Sequence, residues 1–166
     1  MQSKKKERKN MGTRSLTTFK EDHTDEEIVV LYRQMDGYPE GHGIDLFRFL
    51  NNMNMVNGMS PGEKRKISNG MSCLAAQMIA YFKDEPGGFY LYRADTRDVG
   101  EEYVYTIYLD FTDNNNNERK IMIKVEKTSY DKDFKNRFME EIFDGQVDNY
   151  KEWLESLVGK GNCATT

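Results

Sequence analysis

The stretch Ile28-Val29-Val30-Leu31-Tyr32-Arg33-Gln34-Met35-Asp36-Gly37-Tyr38-Pro39-Glu40-Gly41-His42-Gly43 decides how the chain is read. Its first residues are β-branched, aliphatic or aromatic on both faces, the pattern of a strand interior to a sheet. Its second half holds three glycines and a proline, which force a loop. From Ile44 the spacing turns helical, with Leu46, Phe49, Leu50 and Met53 on one side and Asp45, Arg48 and Asn52 on the other. The loop therefore runs from a strand into a helix N-terminus, where exposed backbone N–H groups attract anions. It carries an arginine, two carboxylates, a histidine and an amide, more chemistry than a connection needs. A ligand-binding or reactive loop is the functional reading.

Upstream, the β-prone run Arg14 to Phe19 is separated from Glu27 to Gln34 by polar residues, which predicts a β-hairpin. Placing Phe19 opposite Ile28 brings Arg14 near Arg33. A shift of one residue places Arg14 by Gln34 and Ser15 by Arg33, and in either register the two arginines are expected to meet. Like charges across a strand pair call for a carboxylate or a bound anion between them. Asp36 or Glu40 and a ligand anion are equal alternatives.

Downstream, residues 54 to 66 form a connection, and Ser68 or Asn69 is the expected N-cap of a helix from about Gly70 to Phe82. Strands are expected over Phe89 to Ala94, Glu102 to Phe111 and Arg119 to Lys127, as a meander. Phe134, Phe138 and Ile142 then predict one helix, and Tyr150, Trp153, Leu154 and Leu157 another. The fold class is α+β: one domain, a mainly antiparallel sheet of about five strands, helices packed largely on one face. Its expected bounds are 12–158, between a disordered basic tail, 1–11, and a flexible C-terminal tail, 159–166.

A chain of 166 residues fits one domain. A net charge of −4 excludes a general nucleic-acid binder, which needs a basic face, and leaves room for a local positive pocket. No apolar run has membrane-spanning length, and Met1 to Asn10 lacks the apolar core of a secretory signal. Cys73 and Cys163 are expected to stay reduced, and the location to be cytoplasmic. Two histidines without a ligand spacing argue against a metal site, and the glycine spacing matches neither nucleotide-loop fingerprint, so no cofactor is expected.

The candidate ligand-binding residues are Arg14, Ser15, Arg33, Gln34, Asp36 and Tyr38, with Asn69 and Gln77 brought in from the second helix. Tyr38 reads either as an aromatic lid or as packing. His42 and Glu40 are the candidate acid–base pair, while a helix-capping or hydrogen-bonding role for His42 is the plainer alternative.

Gly12-Thr13-Arg14-Ser15-Leu16-Thr17, the run Tyr32 to Gly43, and Asn69-Gly70-Met71-Ser72-Cys73-Leu74-Ala75-Ala76-Gln77 resemble a family of small uncharacterised proteins encoded mainly by bacteriophages and other viruses of microbes. The resemblance covers roughly residues 12–111. It implies a viral origin and a shared site, and no mechanism. The leading functional expectation is a small viral accessory protein that binds a compact anionic ligand, such as a nucleotide derivative, at loop 33–43, in host takeover or counter-defence. A hydrolase or group-transfer enzyme using the same loop and a module that binds a host protein are the alternatives.

Overall fold

β1, Ser15–Lys20, and β2, Glu27–Arg33, pair antiparallel because both are rich in β-branched and aromatic residues and a polar turn joins them. The computed structural model describes residues 12–59, 62–111 and 119–161. Around this hairpin stands a six-stranded sheet in the order β5-β2-β1-β6-β7-β8. Its other members are β5 (Phe89–Tyr92), β6 (Tyr103–Asp110), β7 (Lys120–Tyr130) and β8 (Arg137–Gln146). All neighbours are antiparallel except β1 and β6. A separate parallel pair, β3 (Asn54–Val56) and β4 (Ile67–Asn69), lies within the expected 54–66 connection and just beyond it.

The helices α1 (Ile44–Leu50), α2 (Gly70–Phe82) and α3 (Val147–Gly161) place Leu46, Phe49, Met71, Leu74, Met78, Tyr150 and Leu154 in one core with Phe19, Leu31, Tyr105, Ile107, Ile121 and Ile123 of the sheet. The expected α+β class and mainly antiparallel sheet are thus found, with six strands where about five are expected. β2 is interior, and Val30, Leu74 and Met78 are fully buried, as its unbroken apolar run requires.

Three elements differ from the sequence reading. β5 does not begin a meander: it lies beside β2 at the sheet edge, and residues 93–102 pass over β2 and β1 to reach β6. That connection is held by Arg97 on Glu27 and by Arg137 on Glu101, and Val99, with Tyr92, covers the second apolar cluster, Leu16, Val30, Tyr32 and Val104. The sheet is therefore apolar on both faces near β1. Second, residues 137–146 form strand β8, not a helix, and a bulge at the Val125–Glu126 step leaves Ile142 without a register partner. Third, Asn69 occupies the N-cap position of α2 without a side-chain cap; Asp22, from the β1–β2 turn, accepts from the Met71 N–H instead, at 2.8 Å.

α3 runs to Gly161, past the expected boundary at 158. Cys73 is a free, partly buried thiol. The expectations for the basic tail 1–11, for Cys163 and the chain end 162–166 fall outside the described residues, as does the 112–118 segment between the expected strands 102–111 and 119–127.

Candidate functional site

The loop after β2 is built around its histidine. Pro39–Gly43 forms a single π-helical turn leading directly into α1, and His42 within it is fully buried. Its Nδ1 lies 3.0 Å from an Arg33 guanidinium nitrogen and its Nε2 lies 2.7 Å from the Thr17 hydroxyl. Arginine has no acceptor, so Nδ1 must offer its lone pair and the proton must sit on Nε2, donated to Thr17 Oγ1. Burial, then the Arg33 charge, hold the imidazole pKa well below the ordinary 6.5. Phe82, Phe89 and Tyr105 enclose the ring, with centroids 5.3, 6.1 and 5.3 Å away. His42 is a neutral imidazole with both nitrogens engaged and no face open to solvent.

Arg33 is shared among several partners. It donates to His42, to Asp45 Oδ2 at 2.9 Å and to the Met35 carbonyl at 2.7 Å, and it stands over the Phe89 ring. Asp45, in the first turn of α1, also takes Arg48 at 3.2 Å. The carboxylate that answers the Arg33 charge is therefore Asp45, a residue of the helix, and not Asp36 or Glu40.

The loop glycines are explained by the same close packing. Tyr105 Oη donates to the Gly37 carbonyl at 2.8 Å, and Tyr150 Oη donates to the Pro39 carbonyl at 3.1 Å. A Cβ on Gly43 would stand 1.8 Å from Tyr150 Oη, and one on Gly37 would stand 2.8 Å from backbone atoms of Arg14 and Ser15. The composition that looks reactive in the sequence is what allows this loop to be pressed between a sheet and a helix.

The expected site residues are dispersed by this arrangement. The observed register pairs Ser15 with Arg33, so β-strand alternation sends Arg14 to the opposite face, where its guanidinium occupies the space a Cβ on Gly100 would need. The two arginines do not meet, which corrects the expected anion clamp. Ser15 is fully buried, and its Oγ has no hydrogen-bond partner among the described residues. Gln34, Asp36, Tyr38 and Glu40 are exposed, and Asp36 holds a left-handed φ of 57° with its carbonyl accepting from the His42 N–H at 2.9 Å. Glu40 does not orient His42, whose two nitrogens are already taken, so the expected acid–base pair is not assembled. Asn69 accepts from the Gly58 N–H and Gln77 donates to the Ile67 carbonyl. Asn69 precedes the first residue of α2 while Phe82, which touches His42, ends it. The 13 residues of α2 separate them by about 20 Å.

A cleft that the sequence reading did not anticipate lies elsewhere. It measures about 660 Å³ and opens between the end of α1, strand β3, the start of β7 and the junction of β8 with α3. Met53, Met55 and Ile121 supply apolar lining, and Asn52, Arg65, Arg119 and Asp148 supply polar lining. The alternation that buries Ile121, Ile123 and Val125 puts Arg119 on the same side of β7 as Ile121, and Lys120 between them also lines the cleft. Arg119 stands 5.9 Å over the Phe111 ring and has no carboxylate partner among the described residues. Arg65 is clasped by Glu63 through two hydrogen bonds of 2.9 and 2.8 Å, which pull that carboxyl down to about 2. No single motif announces this cleft. Its walls come from four separate stretches of chain, and its one early signal is an arginine at the start of a strand.

Among the described residues no three His, Cys, Asp or Glu side chains converge on a metal position, and no helix is long and apolar enough to cross a membrane. No protein-family model, no curated protein and no solved structure matches the chain.

Proposed function

We propose that this protein is a small accessory protein of the virus-encoded kind its motifs resemble, that it binds a compact anionic ligand, and that the ligand occupies the α1–β3–β7–α3 cleft and not the 33–43 loop. The observation that carries this reading is Arg119: a guanidinium lining a cleft of about 660 Å³, held by an aromatic face and by no carboxylate among the described residues. Volumes of this order are those of small-molecule sites, roughly 300–1,000 Å³. A cation on such a wall attracts an anion through charge-assisted hydrogen bonds. Arg33 is the poorer candidate because His42, Asp45 and the Met35 carbonyl already engage it. Acid–base catalysis has no comparable support, since His42 is enclosed and Glu40 is not aligned with it.

The test is a thermal melt with inorganic phosphate and pyrophosphate, since a ligand that binds only the folded state raises the midpoint by mass action. The expected result is a midpoint increase that Arg119→Met abolishes. Absence of any shift in the parent protein, or an undiminished shift in Arg119→Met, overturns the reading.

A further inference from the structure

We infer that the ligand of the cleft is a ribonucleotide, with its phosphate on Arg119, its base against Met53 and Met55, and its ribose hydroxyls on Asp148. This rests on the reading of the cleft as an anion site and adds the chemical class of the anion.

Asp148 carries the step. It lines the cleft from the first turn of α3, is exposed, and has no ion-pair partner among the described residues. A carboxylate in the same cleft as the Arg119 guanidinium weakens, without abolishing, the hold on a bare phosphate or pyrophosphate. It suits a ligand that is anionic at one end and hydroxyl-bearing further along, because an ionised carboxylate is an acceptor only and vicinal hydroxyls are donors. A nucleotide has that polarity.

The opposite lining agrees. Met53 and Met55 offer thioethers, which make favourable contacts with aromatic rings, and Ile121 adds an aliphatic wall. Asn52 follows α1 in the left-handed region at φ 59°, and its amide has no hydrogen-bond partner among the described residues. An amide offers a donor beside an acceptor, the pairing that the edge of a base presents in reverse. The neighbouring Asn54 amide is less free, since its nitrogen already donates to the carbonyls of Asn52 and Lys66. A cleft of about 660 Å³ is roomy for a simple oxyanion and finite in extent, and the chain's net charge of −4 disfavours a polymeric nucleic acid. The size and the single acidic group together select a mononucleotide.

The test is isothermal titration calorimetry on the full chain with AMP, GMP, CMP, UMP, the 2′-deoxy form of whichever binds best, and pyrophosphate. The expected result is that at least one ribonucleotide binds about tenfold more tightly than pyrophosphate, a difference of about 1.4 kcal/mol. Its deoxy form is expected to bind several-fold more weakly, and Asp148→Ala to bring the ribonucleotide down to the level of the deoxynucleotide. Pyrophosphate binding as tightly as every nucleotide overturns this inference and leaves the anion site standing. An unchanged preference for ribose in Asp148→Ala overturns the assignment of the hydroxyls. Binding of none of these ligands removes both this inference and the anion site. Circular dichroism of Asp148→Ala checks that the variant is folded, as an exposed first-turn residue permits.

Discussion

Acidification separates a structural imidazole from a catalytic one. His42 is neutral in the folded protein, with a pKa held well below 6.5 by burial and by Arg33. In the unfolded chain it titrates at about 6.5. Between those two values the unfolded state carries one more proton than the folded state, so stability rises with pH. The contribution is complete above pH 6.5 and drains as pH falls toward the folded pKa. If the folded imidazole stays neutral, the loss between pH 8 and pH 5 is about 2 kcal/mol for this single group. Carboxylates with depressed values, Glu27 and Glu101 among them, contribute their own losses at lower pH, and these are common to the parent protein and a His42 variant. Urea unfolding of the parent and of His42→Gln at pH 8, 7, 6 and 5 therefore isolates the imidazole as the difference between two curves. His42→Gln is expected to be less stable at pH 8 and to lose about 2 kcal/mol less on reaching pH 5. Parallel curves would refute the reasoning, because they would mean that His42 accepts a proton equally well in both states.

Two further substitutions probe the packing around this loop, and a third probes the 93–102 connection. Gly43→Ala is expected to lower stability by roughly 3 kcal/mol, since the new methyl would overlap Tyr150 Oη and displace its hydrogen bond to Pro39; chemical denaturation reads this directly. Arg33→Met leaves the partly exposed Asp45 with Arg48 alone and His42 Nδ1 without a donor, and equilibrium unfolding is expected to show a loss of about 1–3 kcal/mol, discounted for solvent at Asp45. Unchanged or increased stability would instead mean that Arg33 was held under repulsion, as an anion clamp requires. Arg137→Met removes the partner of Glu101, whose side chain is 1% exposed, and a midpoint drop of several degrees with loosened amide-exchange protection over residues 93–102 is expected.

What could be read from the sequence was what depended on local periodicity. β2 announced itself because a residue buried on both faces must be apolar at every position, and α2 because Met71, Leu74, Ala75 and Met78 recur at helical spacing. β8 was read as a helix because Phe134, Phe138 and Ile142 fall at helical intervals, while the bulge at Ile142 breaks the alternation that would have marked a strand. The position of β5 depends on a crossing by residues 93–102, a choice made by tertiary packing over Leu16 and Val30 and by no local signal. The candidate loop was legible as a place of unusual composition, and its partners were not. Asp45 looked like the polar face of an amphipathic helix, and Thr17 like strand filling, until the register placed both beside residues of the loop. Arg14 and Arg33 were near each other in sequence alignment of the hairpin, but strand alternation put a sheet between them. The cleft was least legible, since its four walls are far apart in the chain.

As proposed, the 33–43 loop is a packed strut and binding belongs to the cleft lined by Arg119. A ¹H–¹⁵N NMR titration of the parent protein with pyrophosphate and with the four ribonucleoside monophosphates tests it most directly. The amide shifts are expected to concentrate at Asn52 to Val56, at Arg65, at Arg119 to Ile121 and at Gln146 to Asp148. Shifts confined to Arg33 through Gly43, with the cleft amides unmoved, would contradict it.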